Sequence, residues 1–143
     1  MGADLEKAVT LLSNEAYTCV LCRGETIYTA TARGVKPLLE FLETDTDVHG
    51  FSAADRVVGN AAAFLYVLLG VREVYAHVIS RAAADTLTAH GIAARYDVLA
   101  EYIVNRAGTG HCPMESAVAG ITDPHTALSA IKARLEALQT NKG

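Results

Sequence analysis

Helical spacing of apolar residues, short runs of strand formers and stretches apolar on every side predict the elements of this chain. From Ala3 to Glu15, Leu5, Val9 and Leu12 recur at helical spacing with polar residues between them, which predicts an amphipathic helix. Two runs of strand-forming residues, Tyr17–Cys22 and Thr26–Thr31, flank Arg23-Gly24-Glu25 and predict a hairpin. Pro37 suits a first helical turn, and Leu38, Leu39, Phe41 and Leu42 continue an apolar face behind it. After a polar loop over Thr44–Gly50, Ser52 is expected to open a helix running to about Leu69, stopped by Gly70. Its interior, from Val57 and Val58 through Ala61–Leu65 to Leu68, is apolar on nearly every side, as a central buried helix should be.

Glu73–Ser80 (EVYAHVIS) is apolar on both faces, the pattern of a strand in the middle of a covered sheet. Arg81–His90 is helical again, Gly91 ends it, and Ile92–Tyr96 predicts a shorter strand. Asp97 is expected to cap a short helix toward Asn105, followed by a Gly-rich loop over Arg106–Gly110 and a helical turn or two from Pro113. Asp123-Pro124 starts the last helix, whose buried stripe is Leu128, Ile131, Leu135 and Leu138. This order predicts a single domain over residues 1–143. Its fold class is α/β, a three-layer α/β/α sandwich on a mixed sheet, with parallel crossovers.

Composition narrows the function. Lys and Arg number 12 against 16 Asp and Glu, a net charge of −4, so the chain lacks the electrostatic footprint for a phosphate backbone. At 51% hydrophobic and 20% charged it forms a core rather than a disordered chain. Three cysteines cannot all pair and no signal peptide opens the sequence, which together predict a reducing, cytoplasmic setting. The longest apolar run, Ala61–Leu69, is too short to span a bilayer.

Cys19-Val20-Leu21-Cys22 matches C-x-x-C, yet it lies in a run of strand formers, where positions three apart face opposite sides. Two small buried hydrophobes are the simpler account, with a site shared with Cys112 as the alternative. Cys112 differs in kind. Pro113 fits a first helical position, so Cys112 falls at a helix N-cap, where unpaired N–H groups lower a thiol's pKa. Glu115 stands where a capping carboxylate would take those same N–H groups. Asn105, Arg106, Gly108, Thr109 and Gly110 place an amide, a guanidinium and a glycine-rich backbone just before that helix start. This arrangement suits a phosphate or carboxylate.

Ser52-Ala53-Ala54-Asp55 has capping-box spacing, but Asp55, Arg56, Gly59 and Asn60 also interrupt an apolar helix. Gly59 costs about 1 kcal/mol relative to Ala in a helix interior, so a neighbour is expected to pack closely against it. Ser80 ends the central strand, caps the next helix and is expected near Asp55. His77 reads as a hydrogen-bonded strand residue, and Asp45, Asp47 and His49 as a solvated loop.

Three segments carry a resemblance: YTCVLCRGETIYTATARGVKPLLEFLE, GFSAADRVVGNAAAFLYVLLGVREVYAHVIS and NRAGTGHCPMESAV. They resemble the prokaryotic family known as domain of unknown function 1893. That resemblance implies a cytidine-deaminase-like α/β/α fold. Zinc deaminases need His (or Cys)-x-Glu at the start of the central helix and Pro-Cys-x-x-Cys at the start of the next. The expected helix starts here read Ala54-Asp55-Arg56-Val57 and Ser80-Arg81-Ala82-Ala83-Ala84, so no metal ligand and no cofactor is expected.

The leading expectation is therefore a metal-free deaminase-like domain that binds a small polar or anionic, nucleotide-like molecule at the sheet edge. Asp55 would take a base or amine, and Ser80, Asn105, Arg106 and the Gly108–Gly110 backbone would hold the rest. The alternatives are an enzyme with Cys112 as nucleophile, Asp55 or His111 as base and Glu115 as helper, and a structural or regulatory subunit. A homo-oligomer is compatible with all three.

Overall fold

A computed structural model describes residues 2–32, 34–103 and 112–140. Helix α1 (Ala3–Asn14) leads into the hairpin β1 (Cys19–Arg23) and β2 (Thr26–Ala30). Arg23 and Thr26 pair across its tight turn, where Gly24 at φ 60° takes the left-handed conformation that glycine tolerates. Next come α2 (Lys36–Glu43), β3 (Ser52–Val58), α3 (Asn60–Leu69), β4 (Glu73–Ser80), α4 (Arg81–Ala89) and β5 (Ala93–Ala100). Short α5 (Pro113–Ala117) and α6 (Pro124–Thr140) complete the order.

Two expectations are corrected. Ser52–Val58 is not the opening of the central helix but strand β3, and α3 begins only at Asn60. β3 lies between antiparallel β1 and parallel β4, so Ala53 and Ala54 are buried on opposite faces of the sheet. A strand buried on both faces loses its alternation, and periodicity cannot tell it from a buried helix. Ser52, read as a cap, instead donates from its hydroxyl to Glu73 at 2.6 Å. Asp97 likewise caps no helix; it lies within β5, which continues beyond Tyr96 to Ala100. Its carboxylate accepts the Tyr75 hydroxyl and lies 3.0 Å from His77 Nδ1, both on the neighbouring strand.

The five strands run in the order β2-β1-β3-β4-β5, with β1 antiparallel to its neighbours and β3, β4 and β5 parallel. Helices flank this mixed sheet on both faces, a three-layer arrangement. On one face Ala8 and Leu12 of α1 meet Val20, Cys22 and Ala54, and on the other the remaining helices contribute Leu38, Phe64, Leu65, Leu87 and Ile131. Each large side chain buried there contributes about 1.5–3 kcal/mol. Cys19 and Cys22 fall in opposite cores, as their spacing on a strand requires. Coverage is uneven. α1 shields β1 and β3, while the edge strand β5 stays exposed along most of its length. Among the described residues no helix is long and apolar enough to cross a membrane.

Candidate functional site

Asp55 is the central residue of β3, facing α3. Its Oδ2 accepts the Tyr66 hydroxyl at 2.7 Å, and the Tyr66 oxygen lies 3.3 Å from Cys19 Sγ. Tyr66 is fully buried and Cys19 nearly so. Burial, reinforced by the Asp55 charge, pushes both the Cys19 thiol and the Tyr66 hydroxyl well up, so both keep their protons. With Tyr66 donating to Asp55, its oxygen is left to accept from the thiol. The bonds therefore run from Cys19 through Tyr66 to the carboxylate.

Burial raises Asp55 itself to about 6 against the Tyr66 hydroxyl, the Val57 and Arg56 backbone N–H groups and the Arg56 guanidinium, which all pull it down. Asp55 Oδ1 has a weaker hold, the Val57 N–H at 3.4 Å. Arg56 is otherwise engaged. Its guanidinium donates to the carbonyls of Leu12, Glu15 and Tyr17 at 2.7–3.1 Å, closing the C-terminal end of α1. Above Asp55 opens a cleft of about 590 Å³ lined by Thr18, Cys19, Pro37, Leu38 and Arg56 among others.

A second polar group sits where β3 and β4 end and α3 and α4 begin. Ser80 is the N-cap of α4 as expected, accepting the Ala83 N–H at 3.1 Å. Glu115 reaches across from α5, accepting the Asn60 N–H of α3 at 2.7 Å and the Ser80 hydroxyl at 3.4 Å. Thr86 of α4 donates its hydroxyl to Asn60 Oδ1, tying the two helices together. Glu115 was expected to cap the helix that carries it; it caps a different one.

Asp55 and Ser80 are thus not partners at one helix edge. The reassignment of Ser52–Val58 to a strand moves Asp55 away from the α3 N-terminus and into the cleft beside α2. Cys112 is the N-cap of α5, half-buried, its N–H donating to Ile103 O at 2.9 Å. Asn105, Arg106, Gly108, Thr109, Gly110 and His111 lie outside the described residues. The residues at the two helix starts, Gly59-Asn60 and Ser80-Arg81, supply no His or Cys. Among the described residues no group of three His, Cys, Asp or Glu could hold a metal. Sequence reasoning singled out Asn60 only as an interruption of the helix and missed Tyr66 and Thr86. A tyrosine inside an otherwise apolar buried run was the available signal, because its hydroxyl needs a partner.

Comparison with known proteins agrees with this architecture. A crystal structure of a DUF1893 family protein (TM1506) from Thermotoga maritima superposes with a TM-score of 0.83 at 23% identity. The match covers 95% of this chain and 91% of that one, a likeness of fold. No curated protein matches the sequence. The family profile described as a domain of unknown function, DUF1893, matches residues 7–135, and the chain belongs to that family.

Proposed function

We propose that this chain is a metal-free, deaminase-like domain that binds a small polar, nucleotide-like molecule in the cleft at Asp55, through a nitrogen that donates to the carboxylate. One observation carries this reading: a part-buried carboxylate held near pKa 6 borders a cleft of about 590 Å³. That volume falls within the range of small-molecule sites. An ionised carboxylate is costly in such surroundings, and an N–H or ammonium donor offsets the cost. Tyr66 fills Oδ2, so Oδ1, with its longer contact to Val57, is the oxygen left for a ligand. The deaminase-like part of the reading rests on the sequence resemblance. It is supported by helices that start at the ends of the parallel strands β3 and β4. No hydrolytic step is assigned, because the helix starts lack zinc-binding side chains.

The test is thermal stabilisation by cytidine, adenosine and their monophosphates at pH 7, where a ligand at a hundred times its Kd adds about 2.7 kcal/mol. At least one should raise the melting temperature saturably in the natural chain and not in Asp55→Asn. No shift with any of them, or an equal shift in the variant, overturns the reading.

A further inference from the structure

We propose that two copies of this chain join edge to edge through β5, as antiparallel strands that carry one sheet through both subunits. Among the described residues β5 pairs with β4 on one side only and ends the sheet, so its outer edge carries no strand partner there over its eight residues. Sheet edges of this length are usually blunted by Pro, Lys or a covering element. Ala93–Ala100 (AARYDVLA) contains neither residue, and Tyr96, Val98 and Leu99 are 45%, 47% and 37% exposed.

The charges on this strand select the second copy as its partner. Arg95 and Asp97 sit two apart and share the face of Tyr75, which pairs with Arg95 in register and donates to Asp97. Asp97 Oδ2 takes both Tyr75 and His77, leaving Oδ1 open among the described residues. Arg95 makes no hydrogen bond or ion pair among the described residues. A two-fold axis through Tyr96 sets Arg95 directly opposite the partner's Asp97, and Asp97 opposite the partner's Arg95. The two Tyr96 rings then meet on the other face, and Ala94 lies opposite the partner's Val98. Moving the axis by one residue puts Arg95 against Arg95 or Asp97 against Asp97, which repels. A half-step sets side chains of opposite faces against each other. The strand is therefore self-complementary in one central register.

Sedimentation equilibrium of the full chain should give twice the chain mass of 15.1 kDa at micromolar concentration, shifting toward monomer as salt rises. Arg95→Asp leaves the Asp97 contacts to Tyr75 and His77 in place and should raise the dimer dissociation constant roughly tenfold or more. The double variant Arg95→Asp/Asp97→Arg reverses both charges and should restore dimerisation. Circular dichroism keeps a misfolded variant from passing as a monomer. A natural chain that stays monomeric overturns the inference, as does a dimer indifferent to Arg95→Asp or a double variant no better than the single one. An unrelated protein's strand on β5 would leave the purified chain monomeric and count against it too.

Discussion

The Glu115 carboxylate sits on the N-terminus of α3, its Oε1 accepting the Asn60 backbone N–H at 2.7 Å. A side chain from a distant helix thereby does what bound anions do at helix starts, meeting unpaired N–H groups and the positive end of the dipole. Glycine at position 59 makes room for it. A Cβ there would stand 2.1 Å from Glu115 Oε1 and 2.9 Å from its Cδ, so the close neighbour expected of Gly59 is this carboxylate.

Gly59→Ala should therefore destabilise the chain by roughly 1–2 kcal/mol, through displacement of Glu115 from the helix start. Backbone strain is not the cause, because Gly59 has φ −91° and ψ 177°, which alanine adopts freely. The measurement is a double-mutant cycle by urea unfolding. In a Glu115→Ala background the same substitution should cost no more than about 0.5 kcal/mol. Equal costs in both backgrounds would separate Gly59 from Glu115.

Asp55 should leave a signature in the pH dependence of stability. Unfolded, it titrates near 3.8, and folded, near 6. Between those values the folded state holds the extra proton, so stability falls as pH rises through the window and levels off above it. The loss amounts to about 2 kcal/mol after allowance for the open side of the cleft. The exposed carboxylates of Asp97, Glu101 and Asp123 are pulled down by their donors and act in the opposite sense, so the comparison must be made against Asp55→Asn. Subtracting that variant's profile from the natural one should leave a drop between pH 4 and 6, and a flat difference would refute the raised value.

Much of this molecule was readable from its sequence wherever local chemistry decided the outcome. The hairpin turn at Gly24, the Ser80 cap, the Pro113 helix start and the interior place of β4 in the sheet were all predicted, but β4 is not covered on both faces as expected, since Tyr75 is half-buried and His77 exposed. β3 was not predicted, because Ala53 and Ala54 are buried by partners on either face rather than by an alternating pattern. Asp97 misled for a related reason. A short polar side chain suits a cap, and only the arrival of Tyr75 and His77 from β4 satisfies it in a strand. Displacing the start of α3 from Ser52 to Asn60 then relocated Asp55, so one misread element changed the composition of the site.

Tyr66→Phe probes the chain of bonds behind the cleft. It removes the donor that holds Asp55 down and the acceptor facing the Cys19 thiol, so Asp55 should move further above 6. At pH 7 the loss should be roughly 1–3 kcal/mol, because an ionised carboxylate is left without its best donor. At pH 4, with Asp55 protonated in the folded state, the loss should shrink. Equal losses at both pH values would mean that the hydroxyl matters only for packing.

Thiol labelling distinguishes the three cysteines by their place in the fold. Cys19 and Cys22 are buried in opposite cores, and burial pushes both thiols up; the nearby Asp55 charge adds to this for Cys19 and Asp4 for Cys22. The thiolate is the reactive form, so these two are protected both by the absence of access and by the protons they keep. Cys112 is half-buried at the start of α5 and is the thiol open to reagent without unfolding. A chromogenic disulfide reagent at pH 8 should therefore titrate one thiol in the native chain and all three in denaturant. Labelling of Cys19 should follow the rate of global opening, because its hydrogen bond to Tyr66 lies between β1 and α3 and breaks only when they separate. Gly59→Ala and Tyr66→Phe should both speed it, because each lowers the free energy of global opening. Fast native labelling of Cys19 would show that the cleft admits reagent to the thiol and that the carboxylate beside it is solvated, which would also remove the reason for its raised pKa.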